Sequence, residues 1–206
     1  MEANPSTDHT WPAHKWQQRI EQQPLLDIII ERLSPQVSQL ALSGPVSEAL
    51  ADTGLPILSD QLPGFVGPLA GLLSALEWAD QRGGQWVLSC PCDSPFLPLD
   101  LYSTLYEAVQ KHHTPIAIAR SQERNHPVFG LWSVTLLESL RHTLAAIPQE
   151  RAIGRWAKQH KPTYCEFPRY RHAISNQWVD PFFNINTRED LHTAQALSCK
   201  GHVNVE

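Results

Sequence analysis

No stretch of this chain approaches the ~20 consecutive apolar residues that cross a bilayer, so the sequence predicts no membrane span. The overall charge is slight. A formal value of −5 gives no field that would gather nucleic acid or an anionic membrane. Any phosphate binding must therefore come from local groups. Cysteine is scarce, with four residues at 90, 92, 165 and 199. Cys90 and Cys92 flank a single proline, too close for an ordinary disulfide, and no second pair supplies a zinc spacing. All four are expected as reduced thiols. Glycine is missing from the first 43 residues. The polar residues 1–14 have no apolar core for a secretory signal and read as a disordered or aberrant tail. The expected location is the cytoplasm. We find no internal repeat, low-complexity tract or linker, and 206 residues suit one domain. That domain is expected over 15–198, with a C-terminal tail over 199–206.

From Pro24 onward, apolar patterns of helical and extended period alternate. Pro24 suits a first helical turn, followed by a broad apolar face that Ser34-Pro35 ends. Short strands are expected over 37–42 and 56–58, with a brief helix over 46–51 between them. A Gly- and Pro-rich loop over 60–68 leads into a strong helix over 69–79, stopped by Gly83-Gly84. Residues 85–90 form a compact apolar run with the look of a buried strand. Pro98 is expected to open a helix reaching about 110. Further strands are predicted over 116–119, 128–132 and 164–167, with helices over 133–146 and 150–159. Residues 168–180 read as an irregular loop, and Thr187 as the N-cap of a last helix with Asp190 three residues on. Short strands alternating with helices of about 10–15 residues predict an α/β fold, a mostly parallel sheet covered on both faces. Ligands of such sheets sit beyond the carboxyl ends of the strands.

Four segments carry chemistry. In Ser89-Cys90-Pro91-Cys92-Asp93-Ser94-Pro95-Phe96 an apolar strand runs into a loop holding an acid between two prolines. Asp93 at a strand end can give a hard cation such as Mg²⁺ an oxygen ligand, and that cation can bridge nucleotide phosphates. The alternative is a turn aspartate that caps the helix after Pro98 or a nearby backbone group. Glycines 64, 67 and 71 flank a helix start, where exposed N–H groups suit a base or phosphate edge, with Asp60 just upstream. The competing reading is a plain helix N-terminus, with Gly71 allowing close packing. His126, before Pro127, can donate to a phosphate or pterin, or simply be a histidine entering a strand. Asn184 and Asn186 share one face of an extended segment. Their amides can meet a heterocycle or phosphate, or pin the chain to the sheet. His112-His113 at a helix end needs no metal, and the basic run 169–172 reads as solvated or as a rim for an anion.

Taken in order, these segments resemble the molybdenum cofactor guanylyltransferases from Lys15 to about Leu197. The resemblance rests on Lys15 followed by Pro24-Leu25-Leu26-Asp27, Asp60 before Gly67-Pro68-Leu69-Ala70-Gly71, Pro91 through Pro98, His126-Pro127, and Asn184-Ile185-Asn186-Thr187 with Glu189-Asp190-Leu191. It implies a three-layer α/β/α nucleotidyltransferase, nucleotide-diphospho-sugar-transferase-like and Rossmann-like. It also implies a reaction joining the GMP of GTP to molybdopterin with release of pyrophosphate, and Mg²⁺ as cofactor. By position, Lys15 would touch the GTP phosphates and Asp60 the nucleotide. Ser43 stands where the family often has Asn. Gly67 would lie by GTP, Asp93 would ligate Mg²⁺, and Asn184, Asn186 and His126 would face molybdopterin. Asp93 and Lys15 are thus the implied catalytic residues. Molybdoenzyme apoproteins or their chaperones are implied further partners of a monomer that uses neither nucleic acid nor membrane.

The family opens with a strand and a loop of the form Leu-Ala-Gly-Gly, then Arg-Met-Gly and Asp-Lys. Here His14 stands where that Asp would be, and residues 1–13 hold no glycine. Without glycine a backbone cannot wrap closely around a triphosphate. The expectation is therefore a guanylyltransferase body without its first strand and phosphate loop, weakly active or inactive. Its neighbours' strand edges and apolar faces would be uncovered. A related CTP-using transferase and a non-catalytic molybdopterin scaffold are the alternatives.

Overall fold

The computed structural model describes residues 15–45, 48–59, 67–146 and 152–198. A 3-10 turn at Lys15–Gln17 precedes β1 (Arg19–Ile20), β2 (Gln23–Pro24) and α1 (Leu25–Leu33). Then come β3 (Leu42–Ser43), α2 (Glu48–Ala51), β4 (Ile57–Leu58), α3 (Pro68–Asp80) and β5 (Trp86–Ser89). The middle of the chain forms α4 (Leu101–His112), β6 (Ile116–Ser121), β7 (Arg124–Ser133), α5 (Leu137–Ala146) and α6 (Ile153–Gln159). The chain continues through β8 (Thr163–Glu166), β9 (Tyr170–Arg171), β10 (Trp178–Val179) and α7 (Arg188–Ser198). No described helix is long and apolar enough to cross a membrane. The chain divides into two compact units. Of the described residues, one unit gathers those up to Ile29, Cys92–Leu97 and those from Arg169 to Ser198, and the other those within Ile30–Pro91 and Pro98–Pro168.

The larger unit carries a four-stranded sheet in the order β5-β7-β6-β8 and a separate parallel pair, β3 with β4. The sheet is mixed rather than mostly parallel: β7 runs antiparallel to both β5 and β6, and only β8 lies parallel to β6. The cause is local. Gln122 and Glu123 alone link β6 to β7, with φ of 47° and 64°, the doubly left-handed geometry of a tight hairpin. A two-residue turn leaves no room for a crossover, so the strands must be antiparallel. Side-chain alternation then sorts the faces of β6. Ile116 and Ile118 join a core with Leu69, Leu72, Leu73 and Leu76 of α3, Leu137, Leu140 and Leu144 of α5, and Ile153 and Trp156 of α6. Ala117 and Ala119 are equally buried and face the other way, where α4 packs on β6, β7 and β8. Helices thus cover both faces, as a three-layer α/β arrangement requires.

Trp132 organises the centre of this core. Its ring lies over Gly130, where an added Cβ would meet the indole at 2.7 Å, and its Nε1 donates to Ser89 Oγ at 2.8 Å. Ser89 in turn donates to the Val128 carbonyl at 2.9 Å. Beyond it Trp156 stacks on Trp132 at 6.0 Å, and His160 sits 4.8 Å from Trp156. Burial holds the His160 imidazole below its ordinary pKa of 6.5, since charging it would strip a cation of water. The folded state therefore binds this proton less readily than the unfolded chain. The resulting stability is complete above about pH 6.5 and is lost as pH falls through that value toward the lower folded pKa. His160→Gln should flatten the acid side of a plot of Tm against pH, and an unchanged slope would contradict this.

Other elements depart from the sequence reading. β5 is half-buried at all four positions, not fully buried, because it ends the sheet with β7 on one side and no described strand on the other. Of the expected 37–42 strand only Leu42 is extended, in a strand that continues to Ser43. The helix expected from Pro98, α4, starts at Leu101, and its first turn is held by a distant side chain. Gln36 accepts from Tyr102 N at 2.9 Å and donates to the Pro98 carbonyl at 2.9 Å.

In the smaller unit, Ile20, Leu25, Phe96, Val179, Ile185, Leu191, Ala194 and Leu197 form a second core. Here the expected irregular loop over 168–180 is a hairpin of β9 and β10. Its basic residues serve it: Arg169 donates to the Trp178 carbonyl, and Arg171 donates to the Asn176 carbonyl and lies 5.1 Å over the Trp178 ring. That accounts for the run 169–172 without an anion. The expected cap of α7 is present and reciprocal. Thr187 Oγ1 accepts from Asp190 N at 3.1 Å while Asp190 Oδ2 accepts from Thr187 N and Asn186 N at 2.9 Å.

Candidate functional site

The smaller unit brings together two of the sequence-selected segments. Asp93 follows Cys92 in a turn, and its main-chain carbonyl accepts from Ile185 N at 2.9 Å. One residue on, the Ser94 hydroxyl donates to Asn184 Oδ1. The acid loop and the Asn184–Asn186 segment are thus joined by one main-chain and one side-chain bond. Apolar packing holds both: Phe96 and Ile185 share a core, and Tyr170 donates to the Phe96 carbonyl at 3.2 Å. Asn184 is half-buried and Asn186 exposed, as alternation with the buried Ile185 requires.

Asp93 is half-buried, with Oδ1 shielded from solvent. A shielded anionic oxygen attracts a cation more strongly than one in bulk water, because the effective dielectric is lower. The N-cap position of α4 is Asp100. Among the described residues no three His, Cys, Asp or Glu side chains gather as a metal cage. A single carboxylate suits Mg²⁺, which keeps several waters and takes its other ligands from phosphates.

In the larger unit, Gly67 is the N-cap of α3 with φ 137°, followed by Pro68 in the first helical position. Ser43, at the end of β3, meets α3 at Gly71, where a Cβ would lie 2.5 Å from Ser43 Oγ. This is the close-packing role expected of Gly71, and it brings Ser43 onto the first turns of the helix that Gly67 opens. His126 lies within β7, not in a loop, half-buried opposite Ala119. Its Nε2 is 2.9 Å from Oγ of the fully buried Ser121, which favours the structural reading of this histidine. His112 ends α4, and His113 caps it in the left-handed conformation with φ 49°, so these two close a helix. Asp60 and Gly64 lie outside the described residues, and Lys15 is described for its backbone alone, in the first turn.

Two residues of consequence were not singled out beforehand. Gln36, which holds the start of α4, acts across 66 residues of sequence. Ser94 acts across 90. No local pattern signals either. Of the described cysteines, Cys165 is a buried free thiol, as expected. Burial pushes the Cys165 thiol up, away from reactivity.

A mixed sheet covered by helices on both faces defines an α/β fold, and comparison with known proteins identifies it as that of a nucleotidyltransferase. Residues 11–163 match the MobA-like NTP transferase domain. The molybdenum cofactor guanylyltransferase of Rhodopseudomonas palustris strain HaA2 is 40% identical over 179 residues, spanning 85% of this chain and 80% of that protein. A structure of molybdopterin-guanine dinucleotide biosynthesis protein A from Archaeoglobus fulgidus superposes with a TM-score of 0.63 at 21% identity, covering 88% of each chain. The 2-C-methyl-D-erythritol 4-phosphate cytidylyltransferase of Thermus thermophilus gives 0.62 at 17% identity, covering 89% of this chain and 93% of its own. These structural likenesses show a shared fold and leave the base open. The sequence identity decides the family: the chain belongs to the molybdenum cofactor guanylyltransferases.

Proposed function

We propose that the chain transfers GMP from GTP to molybdenum-molybdopterin, forming molybdopterin guanine dinucleotide and pyrophosphate. The observation that carries this reading is the double tie between Asp93-Ser94 and Asn184-Ile185, in a chain 40% identical to a guanylyltransferase. It couples a metal-binding acid to a segment rich in amide donors. Asp93 holds a divalent cation, Mg²⁺, which neutralises phosphate charge. Lys15, Ser43, Asp60 and Gly67 contact GTP, and Lys15 offsets charge on its phosphates. Asn184 and Asn186 hold molybdopterin, with His126 as a weaker member given its bond to Ser121.

No protein nucleophile is required. A phosphate oxygen of molybdopterin attacks the α-phosphorus of GTP, the bond from that phosphorus to the bridging oxygen breaks, and pyrophosphate leaves with the electron pair. The protein contributes alignment and fixed charge.

One sequence feature favours a second reading. Residues 1–13 contain no glycine, so residues 1–206 hold GTP weakly and can serve as a non-catalytic molybdopterin scaffold. The test supplies α-phosphate-labelled GTP or CTP with molybdopterin and Mg²⁺. It uses residues 1–206 and a form in which a family-type strand and Leu-Ala-Gly-Gly loop precede Lys15. The loop-bearing form should yield labelled dinucleotide from GTP and little from CTP. Equal or preferential use of CTP would overturn the guanylyl assignment. Molybdopterin binding without turnover in either form would favour the scaffold.

A further inference from the structure

Among the described residues three polar side chains are buried: Ser94, Ser121 and Ser133. A buried hydroxyl costs free energy unless it is hydrogen-bonded, so each partner is informative. Ser133 caps a 3-10 turn by accepting from Thr135 N, and Ser121 meets His126 within its own hairpin. Both roles are local and structural. Ser94, fully buried, spends its hydroxyl on the side chain of Asn184, a residue half-open to solvent. A main-chain partner would have served stability as well. The choice of an amide oxygen does something a main-chain bond would not: it sets the direction of the amide.

We propose that Ser94 is a positioning residue for Asn184, fixing its amide so that Nδ2 and its two N–H groups face a bound ligand's acceptor atoms. A side-chain amide has an acceptor end and a donor end of nearly the same shape. With the Ser94 hydroxyl donating to Oδ1, the donor end points away from Ser94. The backbone keeps it there, since Ile185 N–H donates to the Asp93 carbonyl and both Phe96 and Ile185 are anchored in one core. The ligand class is therefore one that offers hydrogen-bond acceptors, the carbonyl and ring nitrogens of a pterin or the oxygens of its phosphate. This rests on the function proposed above, in which Asn184 holds molybdopterin.

The test titrates molybdopterin, without oxygen, against the full chain and five variants, following tryptophan fluorescence, with Tm as a separate readout. Ser94→Ala should weaken molybdopterin binding about tenfold, the loss of one oriented hydrogen bond. Ser94→Thr, which keeps the hydroxyl, should restore it. Asn184→Ala should weaken binding at least as much, and Ser94→Ala combined with Asn184→Ala no further. If Ser94→Ala does not fold, Asn184→Asp answers the same question. It leaves Ser94 an acceptor but gives the ligand no donor, so it should fold and bind as poorly as Asn184→Ala. Losses that add in the double variant would overturn the proposal. So would wild-type affinity in Ser94→Ala or Asn184→Asp, or a Ser94→Thr no better than Ser94→Ala. If the wild-type chain binds no molybdopterin, the functional reading itself fails. If it binds and only Asn184→Ala weakens it, the failure is confined to Ser94.

Discussion

Asp93→Asn, made in the loop-bearing form, is expected to slow GMP transfer by about 10³-fold or more, the scale on which removing a preorganised electrostatic group acts. The substitution is nearly isosteric. It leaves the Asp93 carbonyl accepting from Ile185 and the Ser94–Asn184 bond in place, so the fold should survive. What changes is charge: a neutral amide oxygen is a poor ligand for a hard dication compared with a carboxylate. Initial rates at saturating GTP and molybdopterin measure the effect, with Tm as the control. A rate within a few-fold of the parent would remove Asp93 from the chemistry.

The second large effect is a gain. Residues 1–206 should bind GTP with Mg²⁺ at least about 10²-fold more weakly than the form carrying the glycine loop before Lys15. That loop would contribute several main-chain N–H donors to the phosphates, and hydrogen bonds to charged groups contribute about 1.5–3 kcal/mol each. Calorimetric titration of both forms measures the difference. Equal tight binding would show that other groups hold the triphosphate and that the loop is dispensable.

Helices were the legible part of the sequence. α3 and α7 carry clear periodicity, and Thr187 with Asp190 announces a cap that the structure forms in both directions. Gly71 was readable as a close approach, and Ser43 is what approaches it. Strand pairing was not legible. The β6–β7 hairpin turns on Gln122 and Glu123, both left-handed, where turn chemistry leads one to expect Asn or Gly. An alternating pattern of strands and helices therefore predicted parallel neighbours where the chain doubles straight back. β5 looked buried because its residues are apolar, yet burial depends on neighbours that composition does not reveal. The site shows the same division. Asp93 and Asn184 stood out as residue types in extended or turn settings. The hydroxyl that links them belongs to Ser94, 90 positions from its partner, and only the folded chain shows that pairing.

The proposed transfer depends on a divalent ion held at Asp93 together with a nucleoside triphosphate. Mn²⁺ can stand in for Mg²⁺ and be followed by electron paramagnetic resonance as GTP is added to the loop-bearing protein. Progressive immobilisation of Mn²⁺ with GTP, abolished by Asp93→Asn and retained in Ser94→Ala, is the predicted result. Immobilisation that survives unchanged in Asp93→Asn would place the ion elsewhere and contradict the assignment.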